Sequence, residues 1–329
     1  MFVFFWLSCL VAIFSLMTYL FPWWYVFELS ISFAPYIVLI NFFFLLYWIG
    51  KRITKLAWFT EKRKRIVLLL IVIHTLLVVI FGYAVFSFYT VDETITQYTV
   101  ENRSGTTILF ANMYKDNVNY TGLVDVVEDN NPDIVLFVEF AEHHDENIRS
   151  FLTERYPYVN RTTRSALYIG SMVFSRYPVE QFDLAFERGQ RRYGYVRVES
   201  PNPYYLYLVH TSAPVSPLFY RMRNDQLLNF AADMHEQDST REEWIPVIVM
   251  WDFNVTPWSP LYSSFHDILG NEYINITRYA DVLFSWSLHW FSFLQAHIDH
   301  IWMKWVFPSS FKKLTIPGSD HDGYIFTVP

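Results

Sequence analysis

The stretch VIVMWDFNVTPWSP at residues 247–260 decides how the larger part of the chain is read. Val247, Ile248, Val249 and Met250 form the continuous apolar run of a central strand covered on both faces. Such a strand ordinarily ends in Gly, Pro or Ser turn chemistry. This one ends in Asp252, Phe253 and Asn254. An Asx turn accounts for that ending, because Asp and Asn side chains both accept backbone hydrogen bonds at a strand exit. A site accounts for it equally well, because ligands of α/β proteins gather at the carboxyl ends of strands. The rest of the chain has to separate the two.

Outward from that stretch, residues 104–329 mix strand and helix patterns without repeats. Apolar runs predict strands at 106–114, 133–140, 166–177 (a pair), 192–199 with 204–210 (an antiparallel pair), 247–252, 297–305 and 322–328. Helical spacing predicts helices at 120–129, 145–155, 218–236 and about 259–269. Nearly every predicted strand has a polar side chain at or near its end: Asn112, Glu139, His210, Asp252 with Asn254, Asp299 with His300, and Asp320 with His321. One such residue is turn chemistry; six such strand ends in one domain point to a shared site. Asp, Glu, Asn and His are also the ligand set of a hard cation, Mg²⁺ or Mn²⁺, and not the thiolate set of structural zinc. The only cysteine, Cys9, lies far away near the amino terminus, so the domain after residue 104 has no disulfide.

The first 91 residues are of another kind. Positions 2–27, 29–50 and 66–91 carry no Asp, Glu, Lys or Arg, and a helix needs about 20 apolar residues to cross a bilayer. Spans are expected at about 2–22, 28–50 and 66–90, within a membrane domain 1–91 that a linker at 92–103 joins to the domain 104–329. The first run has no basic n-region and no small-residue cleavage site, so it reads as a retained span. The segment KRITKLAWFTEKRKR at 51–65 carries seven Lys or Arg and one Glu. Basic short loops stay in the cytoplasm. The expectation is a multi-pass protein of the cell (inner) membrane with its larger domain extracytoplasmic. His74, inside the third span, is expected to face another helix. After residue 91 lie 18 of the 25 Lys and Arg but 30 of the 32 Asp and Glu, an acid excess that makes a poor general binder of polyanions.

Taken in order, these residues resemble the endonuclease/exonuclease/phosphatase superfamily, the metal-dependent fold shared by DNase I, abasic-site endonucleases, inositol polyphosphate phosphatases and neutral sphingomyelinases. The matching segments are Asn112, Glu139, S-R-x-P at 175–178, LVHTSAP around His210, DFN at 252–254, IDHI at 298–301 and GSDH at 318–321. The resemblance covers about 104–329 and implies an α/β fold, a four-layer α/β/β/α sandwich with its site at one edge of paired sheets. It implies that Asn112, Glu139 and Asp320 hold Mg²⁺ (or Mn²⁺). Asp252 would orient or deprotonate the attacking water, Asn254 would donate to a phosphoryl oxygen, and His210 would protonate the leaving oxygen. His321 would contact the phosphate, held by Asp299. Arg176 and Trp251 are expected to contact substrate. Trp251 stands where the family usually has Gly and forms either an apolar wall or a distorted turn; Val138 replaces the usual Gln.

Three spans before such a domain also resemble a membrane-anchored branch that includes a bacterial teicoplanin-resistance protein. That resemblance implies a phosphorylated lipid of the envelope as substrate and the lipid bilayer as partner, with no nucleotide cofactor. Trp251, Trp258, Trp286, Trp290 and Phe291 lie near the predicted site in sequence and fit either an apolar substrate wall or core packing. A surface nuclease is the rival reading, supported by the DNase-like LVHTSAP and by Arg188, Arg191 and Arg192. A noncatalytic envelope scaffold that retains the fold is the third.

Overall fold

The structure, a computed structural model, describes residues 2–55, 60–90, 105–161, 170–182, 193–240, 244–279, 284–288 and 291–329. Contacts divide the chain into two units, residues 1–90 with 256–263, and residues 91–255 with 264–329. The expected linker at 92–103 and the arginines at 188, 191 and 192 lie outside the described residues, as does Trp290.

The first unit holds α1 (Phe2–Leu20), α2 (Tyr25–Ile31), α3 (Ala34–Lys55) and α4 (Glu61–Tyr89). Among them α1, α3 and α4 are long and apolar enough to cross a membrane. The second long helix does not begin at about 28, where the span was expected, because Pro35 cannot sit inside a continuous helix without removing a hydrogen bond and clashing with an earlier carbonyl. In the first turn of α3 its missing N–H is harmless. The chain therefore makes the short α2 and restarts.

Polar side chains in this unit turn inward. Ser8, Ser15, Asn41 and His74 are buried. Trp48 Nε1 donates to Ser8 Oγ (2.9 Å), and Ser8 Oγ lies 2.8 Å from His74 Nε2. His74 Nδ1 lies 2.7 Å from Asn41 Oδ1, and Asn41 Nδ2 donates to Ser15 Oγ (2.9 Å) and to Ile37 O (2.8 Å). One proton arrangement satisfies this chain. Asn41 Oδ1 accepts from Nδ1–H, and the Ser8 hydroxyl donates to Nε2. His74 thus joins α1 to α3 and α4, as the sequence led us to expect.

The second unit contains β1 (Thr106–Asn112), α5 (Tyr120–Asn130), β2 (Ile134–Val138), α6 (Glu142–Arg155), β3 (Tyr158–Arg161), β4 (Met172–Ser175) and β5 (Val179–Phe182). It continues with β6 (Tyr193–Val198), β7 (Tyr204–His210), α7 (Pro217–Thr240), β8 (Val247–Asp252), α8 (Pro260–Leu269, of which 264–269 belong to this unit) and β9 (Ile274–Asn275). The series closes with β10 (Trp286–Leu288), β11 (Phe291–Ala296), β12 (Asp299–Lys304), β13 (Ser310–Thr315) and β14 (Asp322–Val328). One sheet has the order β13-β14-β1-β2-β4-β3, the other β5-β6-β7-β8-β12-β9, and β10-β11 form a separate hairpin. Strands β3, β5, β9, β10, β11 and β13 were not expected from the sequence. Of the pair expected at 166–177, β4 is described and 162–169 lie outside the described residues.

Alternation along each strand builds the layers. Ile108, Phe110, Ile134, Leu136 and Val138 of the first sheet meet Leu206, Leu208, Ile248, Met250 and Ile301 of the second. The intervening Leu109, Ala111, Val135 and Phe137 point the other way, onto Leu123 and Val127 of α5 and Ile148 and Leu152 of α6. On the far side Tyr207 meets Phe230 of α7, and Trp302 meets Phe265 of α8. The result is the expected four-layer α/β/β/α sandwich. Because its central strands are covered twice, they read as unbroken apolar runs.

Candidate active site

Strands β1 and β2 are parallel neighbours in one sheet, β7 and β8 in the other. Each pair ends together, and β12 starts where β8 ends, with Asp299 opposite Asp252. Side-chain contacts between the sheets bring both sets of ends to one edge. Asn112, Glu139, His210, Asp252, Asn254, Asp299, Asp320 and His321 all lie there.

Asp252 is 1% exposed. Its Oδ1 accepts from the Asn254 amide (3.0 Å), which fixes the Asx turn, and its Oδ2 accepts from Asn112 Nδ2 (3.0 Å). The same Oδ2 is 3.7 Å from His210 Nε2 and 3.8 Å from His321 Nε2. Asn254 takes φ 51°, and its Nδ2 donates to Thr211 O (3.2 Å). Asn accepts this left-handed conformation readily. Glu139 takes φ 55°, which costs a carboxylate residue about 1–3 kcal/mol and is characteristic of functional turns. Its Oε2 accepts from Lys115 N (2.9 Å), and its Oε1 is 3.3 Å from His210 Nε2.

Charge is distributed unevenly across the site. Burial pushes the Glu139 carboxyl up, but the hydrogen bond and charge of His210 and the Lys115 amide outweigh it and hold it at about 2. Burial raises Asp252 to about 6, with His321 and His210 opposing that shift and Asp299 and Glu139 adding to it. Burial would lower His321, yet the charges of Asp299 and Asp252 and the hydrogen bond to Asp299 raise it to about 10. His321 is therefore an imidazolium, its Nδ1–H donating to Asp299 Oδ2 at 2.8 Å. Asp320 Oδ2 accepts from Trp286 Nε1 (2.9 Å). Beside it opens a cavity of about 150 Å³ lined in part by Phe284, Trp286, Gln295 and Thr315.

Two expectations fare differently. Arg176 is not at this edge. Its Nη1 donates to Asp133 Oδ1 (3.1 Å), its Nη2 to Asn131 Oδ1, and Ser175 pairs with Ile134 at the start of β2. That places it at the opposite end of β2 from Glu139, about 16 Å away at a strand's rise of about 3.3 Å per residue. The expectation of substrate contact is corrected: Arg176 anchors the turn before β2. Trp251 lies in β8 opposite His300 and Val209, and its side chain is outside the described residues.

Several contributors were not visible in the sequence. Ser285 Oγ accepts from the amides of Ile298 and Asp299 (3.0 and 2.9 Å), and Lys115 acts through its backbone. In the sequence Trp286 is only an aromatic near the site; its bond to Asp320 is not visible there. Gly318, at φ 83°, lets the GSDH turn pass Asn117, since a Cβ there would collide with Asn117 Oδ1.

The endonuclease/exonuclease/phosphatase family matches residues 109–321, which contain every one of these strand ends. The chain belongs to this family. No curated protein matches it by sequence. Solved structures of the family fold are similar at low identity. A Danio rerio TDP2 complexed with a single-stranded DNA product is 13% identical with TM-score 0.54, covering 69% of this chain and 100% of its own. The 3′ phosphatase NExo from Neisseria, bound to a product DNA hairpin, is 15% identical with TM-score 0.54, covering 67% and 98%. A beta toxin mutant from Staphylococcus aureus with bound magnesium ions is 15% identical with TM-score 0.50, covering 68% and 99%. These likenesses establish the shared fold.

Family members depend on a divalent metal, and the residues present fit one. Asp320 Oδ1 is buried with no hydrogen-bond partner among the described residues, an oxygen that a hard cation would take. Glu139, His210 and Asp252 bring potential ligand atoms within 4.8 Å of one another. A second such group, Asp252 with Asp299 and His321, is already committed to the ion pair of His321.

Proposed function

We propose that the chain is a membrane-anchored, Mg²⁺- or Mn²⁺-dependent phosphoesterase that hydrolyses a phosphate ester or pyrophosphate of an envelope lipid. The observation that carries this reading is Asp252, a buried carboxylate held by the Asn254 amide on one oxygen and facing Asn112, His210 and His321 with the other. Glu139, Asp320 and Asn112 would hold the cation, which when bound neutralises phosphate charge. Asp252 would orient and deprotonate the attacking water, and a carboxyl raised to about 6 is well matched to a base working near neutral pH. His321, charged and fixed by Asp299, would donate from Nε2 to a nonbridging oxygen, and the second Nδ2 hydrogen of Asn254 would join it as charge builds. His210 would protonate the leaving oxygen.

Helices long enough to span a bilayer support a lipid substrate, because tethering raises the effective concentration of a membrane-bound target. The basic segment at 51–65 supports a cytoplasmic loop and an extracytoplasmic catalytic unit. A nuclease is the second reading, favoured by the DNA products bound to TDP2 and NExo and opposed by the acid excess after residue 91. The test is turnover of polyprenyl phosphates, phospholipids, sphingomyelin and DNA, each with Mg²⁺ and with chelator. Metal-dependent turnover of a lipid phosphate alone supports the proposal. Turnover of DNA alone replaces it, turnover in excess chelator ends the metal assignment, and no turnover leaves the scaffold.

A further inference from the structure

Helix α7 carries a residue that neither the motifs nor the proposed chemistry uses. Arg223 is 0% exposed. Burying a guanidinium is costly unless its donors find fixed acceptors, and here the acceptors are specific. Nε and Nη2 both donate to Asn224 Oδ1 (3.0 and 2.8 Å), and the ring of Tyr220 lies 5.0 Å from the guanidinium carbon. Held in this way, Nη1 donates to the backbone carbonyl of Asn254 at 2.8 Å. Asn254 is the left-handed residue of the DFN turn. One helical turn on, Gln226 is also buried, and its Oε1 accepts from Ser212 N (2.9 Å) in the turn that follows His210. Residues three apart share a helix face, so one face of α7 grips the turns after both β7 and β8. The two turns are also tied to each other, since Thr211 Oγ1 donates to Phe253 O (2.7 Å) and Thr211 N to Asp252 O (3.2 Å).

We propose that Arg223, seconded by Gln226, is a positioning residue for the reaction: it locks the left-handed Asn254 so that the side-chain amide of Asn254 meets the phosphoryl group at fixed height relative to His210. The inference rests on the proposed phosphoesterase function. Arg223 would touch no substrate. Lysine could keep the charge but not the planar fork that grips Asn224 and Asn254 together.

A double-mutant cycle tests it in the full-length protein, with Arg223→Met, Asn254→Ala and the pair. The cycle is read on turnover of a generic phosphodiester with Mg²⁺ and on affinity for inorganic phosphate with Mg²⁺ present. If Arg223 acts through Asn254, Arg223→Met lowers kcat at least about tenfold with KM nearly unchanged, and adds little once Asn254 is gone. Arg223→Lys should recover only a small part. Additive losses, or a Mg²⁺ activation constant that shifts in step with kcat, would overturn the inference. Should Arg223→Met fail to fold, Asn224→Ala loosens the same fork, and an unchanged kcat there overturns it equally. A wild-type protein that binds phosphate but turns over no phosphodiester overturns this inference, since there is then no reaction for Arg223 to position. One that does neither removes both the proposed function and this inference.

Discussion

Asp252 is ionised only at a cost. A carboxyl raised by burial favours its neutral form in the folded chain, so its contribution to stability is present at low pH and is lost as pH rises through about 6. Catalysis needs the opposite state. The acid limb of kcat/KM should therefore have a midpoint no higher than about 6, and raising Mg²⁺ should move it lower, because a nearby cation favours the carboxylate. Asp252→Asn keeps the size and an acceptor for the Asn254 amide but removes the base, so kcat should fall at least about 10²-fold. A folded variant with near-wild-type turnover would reduce Asp252 to a turn residue. Single residues of this kind are legible in a sequence because an acid or amide interrupting an apolar strand shows locally. Arg176 misleads because its motif names the residue but not the end of the strand on which it falls. Arg223 and Ser285 leave no sign at all, since each acts on backbone atoms far away in the chain.

At the scale of elements, β1, β2, β7 and β8 are legible because helices cover their outer faces and leave continuous apolar runs. Strand β13 is not, for the converse reason. It is an edge strand with SFKKLT mostly exposed, the charged pattern that keeps an edge from pairing elsewhere. The hairpin of β10 and β11 was likewise hidden, although it delivers Trp286 to Asp320. Trp286→Phe keeps the ring and removes the donor, so affinity for Mg²⁺ should weaken by about 10-fold or more, as for other outer partners of metal ligands. An unchanged Mg²⁺ activation curve would count against Asp320 as a ligand. Among the helices, His74→Leu strips Ser8 and Asn41 of their shared partner. It should lower stability by about 1–2 kcal/mol, seen as a reduced thermal midpoint in detergent micelles.

For the whole molecule, the charge of one short segment sets the proposed orientation. Lys55→Cys and Ser150→Cys, each in a Cys9→Ala background, should label differently with an impermeant thiol reagent on intact cells: position 150 accessible, position 55 protected. The reverse pattern would put the catalytic unit in the cytoplasm. The order of the first sheet reaches further, into how this chain is made. Its first strand, β1, lies between β2 and β14, and β14 follows every other strand in sequence. During synthesis β1 and β2 can pair early, but the other edge of β1 waits open until nearly the whole unit has been produced. Pairings so distant in sequence form slowly, and an exposed apolar strand edge is a template for aggregation meanwhile. The newborn protein should therefore depend on holding chaperones for most of its translation.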